Sequence, residues 1–127
     1  VSSISAFFPS PGDVNYPASK AYLNVFSQAL QAEVLESGII IQALCPGFTV
    51  TEFHDTDMMT DFDRSKIPAV LWMTAAEVVR TSLHSLDPNH VICVPGRRYQ
   101  LMVAAAQSGP TGLVLRLARK FRQRVRG

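Results

Sequence analysis

The chain has 127 residues, of which 47% are hydrophobic, a composition typical of a globular protein and a length sufficient for one domain. Its two cysteines exclude a disulfide-rich secreted scaffold, and its three histidines lack the spacing of metal ligands. Charge is distributed unevenly: residues 1–96 carry four basic and ten acidic side chains, whereas residues 97–127 carry eight basic side chains and no acidic ones. This asymmetry predicts two regions, the second of which is a basic tail with a role of its own.

The first part of the chain is predicted to pass from a strand end through a loop into a long helix. The first three residues close a strand, and residues 5–14 form a loop because two prolines and a glycine interrupt the pattern. A helix is expected from Asn15 to Ser37, where Gly38 ends it. Its apolar stripe is predicted to comprise Leu23, Phe26, Leu30 and Val34.

A buried strand is predicted after this helix. Ile39–Leu44 is a continuous apolar run with β-branched residues, which is typical of a parallel strand covered on both faces. Pro46-Gly47 ends the run. Both cysteines, Cys45 and Cys93, lie in such apolar runs and are expected in the core.

The remaining elements up to residue 96 continue the alternation. Residues 48–73 are predicted to be irregular, and Thr74 with Glu77 forms a capping-box pattern that opens a helix through about Leu86. His90 to Val94 is predicted to be the final strand. The order strand, helix, strand, helix, strand indicates right-handed crossovers and a parallel sheet.

Tyr16 and Lys20 form the pair with the clearest chemistry. They are four residues apart, about one helical turn, so both side chains share one helix face. A phenol is a poor proton donor or acceptor at neutral pH, and a cation held nearby favours its ionised form. Ser3 could polarise a carbonyl or hold an alcohol while the tyrosine moves the proton. Taken alone, the spacing also fits a structural pair on a solvated helix face.

The sequence around this pair is more specific. Asn15 precedes the tyrosine, the run Ala18-Ser19-Lys20-Ala21 continues it, and a later strand ends in Pro46-Gly47-x-x-x-Thr51. With these motifs, residues 1 to about 96 closely resemble the short-chain dehydrogenase/reductase family. The resemblance implies an α/β fold, namely the C-terminal part of a doubly wound parallel sheet of the Rossmann type.

The resemblance also implies a role for each motif residue. Tyr16 would be the general acid and base, Ser3 would orient the substrate oxygen, and Lys20 would support the tyrosine and hold the nicotinamide ribose. The nicotinamide end of NADP or NAD would be met by Tyr16 and Lys20 together with Pro46, Gly47, Thr49 and Thr51. In the family, the segment equivalent to residues 48–73 covers the substrate. Candidate substrate contacts are therefore Ser5, Phe8, Phe53, Met58 and Phe62.

The resemblance further implies that the chain is the C-terminal half of a longer enzyme. The glycine-rich turn that holds the cofactor pyrophosphate in the family has no counterpart in this sequence, and neither has the upstream catalytic Asn. We therefore expect residues 1–96 to be the catalytic half of a Rossmann-type domain that is inactive on its own. The full-length form is expected to be a homodimer or tetramer.

The sequence is compatible with several substrates and reaction classes. The apolar residues of the 48–73 segment and the basic tail favour a lipophilic carbonyl such as a 3-oxoacyl chain, a steroid or a retinoid-like molecule. One alternative is an epimerase or dehydratase on the same fold, although such enzymes usually lack the Pro-Gly-x-x-x-Thr arrangement. Another is a non-catalytic module for interaction or for binding to a membrane surface.

The tail at residues 97–127 contains a predicted basic amphipathic helix that begins near Thr111. Leu113, Leu117 and Phe121 recur every four residues, and arginines and a lysine fill much of the rest. Such a helix suits either the surface of an anionic membrane or packing on the parent domain with a solvated basic face. We expect a cytoplasmic protein, peripheral on a membrane if the first alternative holds. Nucleic-acid binding is disfavoured because the tail has no aromatic interleaving.

Overall fold

A computed structural model describes residues 1–9, 11–51 and 64–126, which form a mixed α/β arrangement. Within these residues the helices are α1 (Asn15–Val34), α2 (Ala75–His84), α3 (Arg97–Ser108) and α4 (Thr111–Arg126). The strands are short: β1 (Ala43–Leu44), β2 (Thr49–Val50), β3 (Met73–Thr74) and β4 (Ile92–Cys93). Single 3-10 turns lie at Ile4–Phe7, Leu35–Ser37, Arg64–Lys66 and Ala69–Leu71.

The strands pair in parallel, as the alternation of elements predicts. β1 pairs with β4, and β2 pairs with β3. The first residues of the chain lie along the other side of β1, because the amide of Ser2 donates to the carbonyl of Leu44 at 2.6 Å and that of Ile4 donates to Pro46 at 3.0 Å. Both bonds advance two residues in the same direction, so the extended segment at residues 1–3 also runs parallel to β1. Three segments therefore lie side by side, with β1 in the middle.

The predicted strand over Ile39–Leu44 is longer than the one observed. Only Ala43–Leu44 belongs to the ladder, and the side chains of Ile39 and Ile40 are 52% and 42% exposed. The side chain of Gln31 forms hydrogen bonds with backbone groups at the start of the run. Its amide group donates to the carbonyl of Ile39 at 3.3 Å, and its oxygen accepts from the amide of Ile41 at 2.6 Å.

The buried residues of α1 also differ from those of the predicted apolar stripe. Pro17, Asn24 and Gln31 are the buried residues of this helix, whereas Phe26 is 50% exposed and stacks on Tyr22. The polar side chains face inward because they have partners there. Asn24 accepts a hydrogen bond from the thiol of Cys45 at 3.3 Å, and burial raises the pKa of that thiol. Polar contacts thus join α1 to the sheet.

The helix ends follow the predicted signals closely. Gly38 has a φ of +78°, the left-handed conformation that terminates the helix and its 3-10 extension. The capping box of Thr74 and Glu77 is present in both directions, and hydrogen bonds from Thr74 lower the pKa of the Glu77 carboxyl. α2 ends at His84, two residues before the predicted end.

The core of the described part of the chain is small and includes both cysteines, which are buried, as predicted, and are free thiols. Its apolar members are Ala43, Cys45, Ile67, Val78, Cys93, Tyr99 and Val103. Two of these belong to α3, so the C-terminal region contributes buried side chains as well as charge. The predicted amphipathic helix is α4, and it begins at Thr111 as expected.

We expect Gln31→Ala to lower the free energy of unfolding by about 1–3 kcal/mol, because two backbone groups lose their partner. Gln28→Ala is the matched control, since Gln28 lies on the exposed side of the same helix and should change stability by less than about 0.5 kcal/mol. Urea denaturation of the full-length protein measures both. Equal effects of the two substitutions would show that the Gln31 contacts do not hold α1 to the chain after it.

Candidate active site

Ser3 lies at the edge of the sheet where β1 ends. The backbone of Ser3 is extended and its side chain is buried. Its hydroxyl oxygen accepts from the amide of Ser5 at 3.1 Å, and the two hydroxyl groups are also 3.1 Å apart. Ser3 thereby caps the turn Ile4–Phe7. The next residue is bonded to Pro46, so Ser3 and the Pro46-Gly47 turn are neighbours, as the parallel order requires.

Tyr16 and Lys20 lie together in the first turns of α1. The ammonium of Lys20 is 5.5 Å from the centre of the Tyr16 ring, over its face, and donates to the carbonyl of Val1 at 3.4 Å. A cation at this distance from an exposed aromatic ring is worth about 0.5–1 kcal/mol. The hydroxyl of Ser2 donates to the carbonyl of Lys20 at 2.9 Å, which ties this end of α1 to the segment that carries Ser3.

The Pro46-Gly47 turn is shaped by Tyr99, a residue that the sequence analysis did not single out. A Cβ placed on Gly47 would overlap the ring of Tyr99, so only glycine fits at this position. The amide of Phe48 donates to the Tyr99 hydroxyl at 3.0 Å, and that hydroxyl donates to the carbonyl of Leu71. The only signal in the sequence was an aromatic residue near the start of an otherwise basic region, which does not identify its contacts.

The other predicted cofactor contacts follow this turn along the chain. Thr49 lies in β2, and its hydroxyl donates to the carbonyl of Gly47 at 3.1 Å, which braces the turn. Thr51 is exposed one residue beyond β2. Three of the candidate substrate contacts lie outside the described residues, namely Phe53, Met58 and Phe62. Ser5 is the partner of Ser3 described above.

Phe8 lines an open apolar cleft of about 460 Å³ beside the start of α1. The cleft lies between the Ile4–Phe7 turn, the residues after it and the helix, and Leu115 of α4 reaches its wall. Pro17 and Ala18 are the α1 residues nearest to Tyr16 that line it. Successive residues of a helix are rotated by about 100°, so the cleft meets α1 on a different face from the one that carries Tyr16 and Lys20.

The described residues contain neither a metal-binding cluster nor a membrane-spanning helix. No group of three or more His, Cys, Asp or Glu side chains among them could hold a metal ion. The helices within the described ranges are also too short or too polar to cross a bilayer.

Comparison with known proteins identifies the family to which the chain is similar. The family model for short chain dehydrogenases matches residues 1–61, the part of the chain that contains Ser3, Tyr16, Lys20 and the Pro46-Gly47 turn. The chain belongs to the short-chain dehydrogenase/reductase family, whose members are oxidoreductases that use NAD or NADP. The mixed α/β structure with small parallel sheets is consistent with part of the family's Rossmann fold.

Three relatives illustrate the range of the family that the chain resembles. It is 41% identical to a 17-beta-hydroxysteroid dehydrogenase type 3 of Danio rerio over 86 residues, which are 68% of this chain and 25% of the relative. It is 34% identical over 67 residues to a 3-oxoacyl acyl-carrier-protein reductase of Haemophilus influenzae, covering 53% of this chain and 27% of that protein. An inactive hydroxysteroid dehydrogenase-like protein 1 of Homo sapiens is 45% identical over 51 residues, 40% of this chain and 16% of the relative.

The matched region is therefore about a quarter or less of each relative's length. No solved structure matches the chain significantly.

We expect Gly47→Ala to destabilise the protein by about 1–3 kcal/mol, because the added methyl group has to displace the Tyr99 ring from a packed position. Gly112→Ala is the matched control: a Cβ at Gly112 would meet nothing within 4 Å, and alanine favours the helix in which it lies. Thermal unfolding of the full-length protein compares the two. A Gly47→Ala protein as stable as the Gly112→Ala protein would contradict the contact between Gly47 and Tyr99.

Proposed function

We propose that the protein of which this chain is part is an NAD(P)-dependent oxidoreductase that interconverts a carbonyl and an alcohol. The observation that carries the proposal is the position of Lys20 over the Tyr16 ring, with the backbone of Lys20 tied through Ser2 to the segment that holds Ser3. The two motif residues of α1 and the serine thus belong to one connected edge of the structure. A structural pair on a solvated helix face would not need these ties to the sheet.

In the proposed reaction, Tyr16 gives its proton to the substrate oxygen during reduction and takes it back during oxidation. Ser3 holds that oxygen through its hydroxyl, and Lys20 places positive charge beside the phenol and holds the ribose of the cofactor. The nicotinamide supplies or accepts the hydride. Pro46, Gly47, Thr49 and Thr51 would meet the nicotinamide end of the cofactor, partly through backbone groups.

The proposal extends to the whole fold and assembly. The three parallel segments around β1 would be one edge of a doubly wound sheet, whose ligands bind beyond the carboxyl ends of the strands. A homodimer or tetramer is proposed because α1 exposes a continuous apolar face. Tyr22 is 66% exposed, Val25 67% and Phe26 50%, and an isologous contact with a second copy would bury them.

We propose a lipophilic substrate, either a 3-oxoacyl chain or a steroid. Support comes from the names of the relatives, which include a hydroxysteroid dehydrogenase and a 3-oxoacyl reductase. The choice between NAD and NADP rests with residues that select the adenosine ribose, and none of those residues is among the motifs of this chain.

Two alternatives to an oxidoreductase can be distinguished from it by measurement. A non-catalytic role has a precedent in the human relative whose name describes it as inactive. The chain itself carries the full Ser3, Tyr16 and Lys20 set, which favours catalysis. An epimerase or dehydratase would use the same tyrosine but retain its cofactor, so it would yield no net change in NAD(P)H.

Tyr16→Phe in the full-length protein should lower kcat for carbonyl reduction by about 100- to 10,000-fold, because the proton donor is lost while the ring remains. Tyr22→Phe is the matched control on the same helix, since this exposed residue stacks on Phe26 and takes no part in the proposed reaction. Oxidation of NAD(P)H followed by absorbance, with a 3-oxoacyl thioester and a 17-oxosteroid as probes, measures both. Full activity of the Tyr16→Phe protein would refute the proton-transfer role.

We propose in addition that the basic tail binds an anionic membrane surface and makes the protein peripheral on it. In α4, Leu113 is 52% exposed and Leu117 58%, and the cationic side chains of Arg116 and Lys120 are exposed on the same side of the helix. Such a surface suits the boundary of an anionic membrane, where the leucines would contact acyl chains and the cations would contact acidic headgroups.

The vesicle test compares Arg116→Ala/Lys120→Ala with the control Lys66→Ala/Arg80→Ala, which removes two exposed charges elsewhere. Binding of the full-length protein to phosphatidylserine-containing vesicles should weaken on the order of tenfold or more with the first pair, at about 1 kcal/mol per charge, and hardly with the second. Added salt should weaken binding of the wild type as well. Equal binding by both double variants would contradict the proposal.

A further inference from the structure

Tyr99 contributes to the core, but its hydroxyl makes contacts that packing alone does not explain. It lies in the first turn of α3, is only 2% exposed, and places its ring against Gly47. A buried tyrosine hydroxyl needs hydrogen-bond partners. The Tyr99 hydroxyl finds them on two backbone segments that are far apart in the sequence.

The Tyr99 hydroxyl connects the two ends of the segment that runs from β1 to β3. It accepts from the amide of Phe48 at 3.0 Å and donates to the carbonyl of Leu71. The same two segments are linked by a second hydrogen bond, from the amide of Met73 to the carbonyl of Phe48 at 2.9 Å, and by the rings of Phe48 and Trp72, whose centres are 5.6 Å apart. The Tyr99 hydroxyl thus adds a third link between these two segments.

The phenol suits this double role because it is both donor and acceptor. Burial raises the pKa of the Tyr99 hydroxyl, and the hydrogen bond from Phe48 opposes that rise only in part. The hydroxyl therefore keeps its proton at neutral pH and can donate to Leu71 while it accepts from Phe48. A phenylalanine would fill the same space next to Gly47 but could make neither bond.

We propose that Tyr99 is a positioning residue that fixes the backbone of the Pro46–Phe48 turn for the nicotinamide end of the cofactor. The inference rests on the proposed function, which assigns this turn to the cofactor. Tyr99 acts through the turn and does not itself touch the cofactor: its ring limits where Gly47 can lie, and its hydroxyl orients the following peptide. Preorganised backbone groups bind a ligand without the cost of ordering them at that moment.

The test uses Tyr99→Phe in the full-length protein, with Arg98→Gln as the matched control. The guanidinium of Arg98 donates to the carbonyl of Val70 at 2.8 Å, so it holds the same Ala69–Leu71 turn but makes no bond to Phe48. Titration calorimetry with NADH and NADPH measures cofactor affinity. Amide exchange at Phe48, followed by NMR, reports the hydrogen bond directly.

Tyr99→Phe should weaken binding of the preferred dinucleotide by about 3- to 10-fold, the loss expected for a net hydrogen bond. It should also speed exchange at the Phe48 amide. Arg98→Gln should alter affinity by less than about twofold and leave that amide protected. Tyr99→Phe should also lower the melting temperature, as Gln31→Ala does, because two backbone groups lose their partner. A loss of affinity in Tyr99→Phe that Gln31→Ala does not show supports positioning over general destabilisation.

Two results would overturn the inference, and they can be told apart. Equal affinity in wild type and Tyr99→Phe, or an equal loss in Arg98→Gln, means that Tyr99 does not position the turn. A wild-type protein that binds neither dinucleotide removes the proposed function and the cofactor role of Tyr99 with it. In that case, faster exchange at Phe48 in the variant would still establish that the tyrosine anchors the turn.

Discussion

The arrangement of the candidate site depends on the parallel hydrogen bonding of the first residues of the chain to β1 and the turn after it. The amides of Ser2 and Ile4 donate to Leu44 and Pro46, which places the serine between them beside the Pro46-Gly47 turn. Because parallel strands end on the same side of a sheet, the two motifs meet although more than forty residues separate them. Without this register, Ser3 would have no fixed relation to the turn.

Polar contacts bring α1 to the same edge. The hydroxyl of Ser2 reaches Lys20, the amide of Asn24 meets the thiol of Cys45, and Gln31 satisfies the backbone around Ile40. A helix held by apolar packing alone can rotate or slide at small cost, whereas directional bonds set its rotation. That rotation sets the direction in which Tyr16 and Lys20 face, so the inward polar side chains of α1 also fix the orientation of this pair.

Local signals in the sequence predicted local structure well. The start of α1, its stop at Gly38 and the capping box of Thr74 were all readable, because each depends on residues a few positions apart. The Ser3, Tyr16 and Lys20 set was readable as a motif. The roles of Gln31 and Tyr99 were not, because their partners lie eight to fifty-one residues away and no spacing rule links them. The Gln31 contacts also explain why the strand after α1 is shorter than its apolar run.

The central claim is that this edge carries out hydride and proton transfer to a carbonyl, with Tyr16 as the proton donor. The most direct measurement supplies the full-length protein with NAD(P)H deuterated at C4 and a 3-oxoacyl thioester or a 17-oxosteroid, and analyses the product by mass spectrometry. The account predicts one deuterium on the carbon that bears the new hydroxyl, formed by the wild type and almost abolished in Tyr16→Phe. Product without deuterium, or with the same yield from Tyr16→Phe, would contradict it.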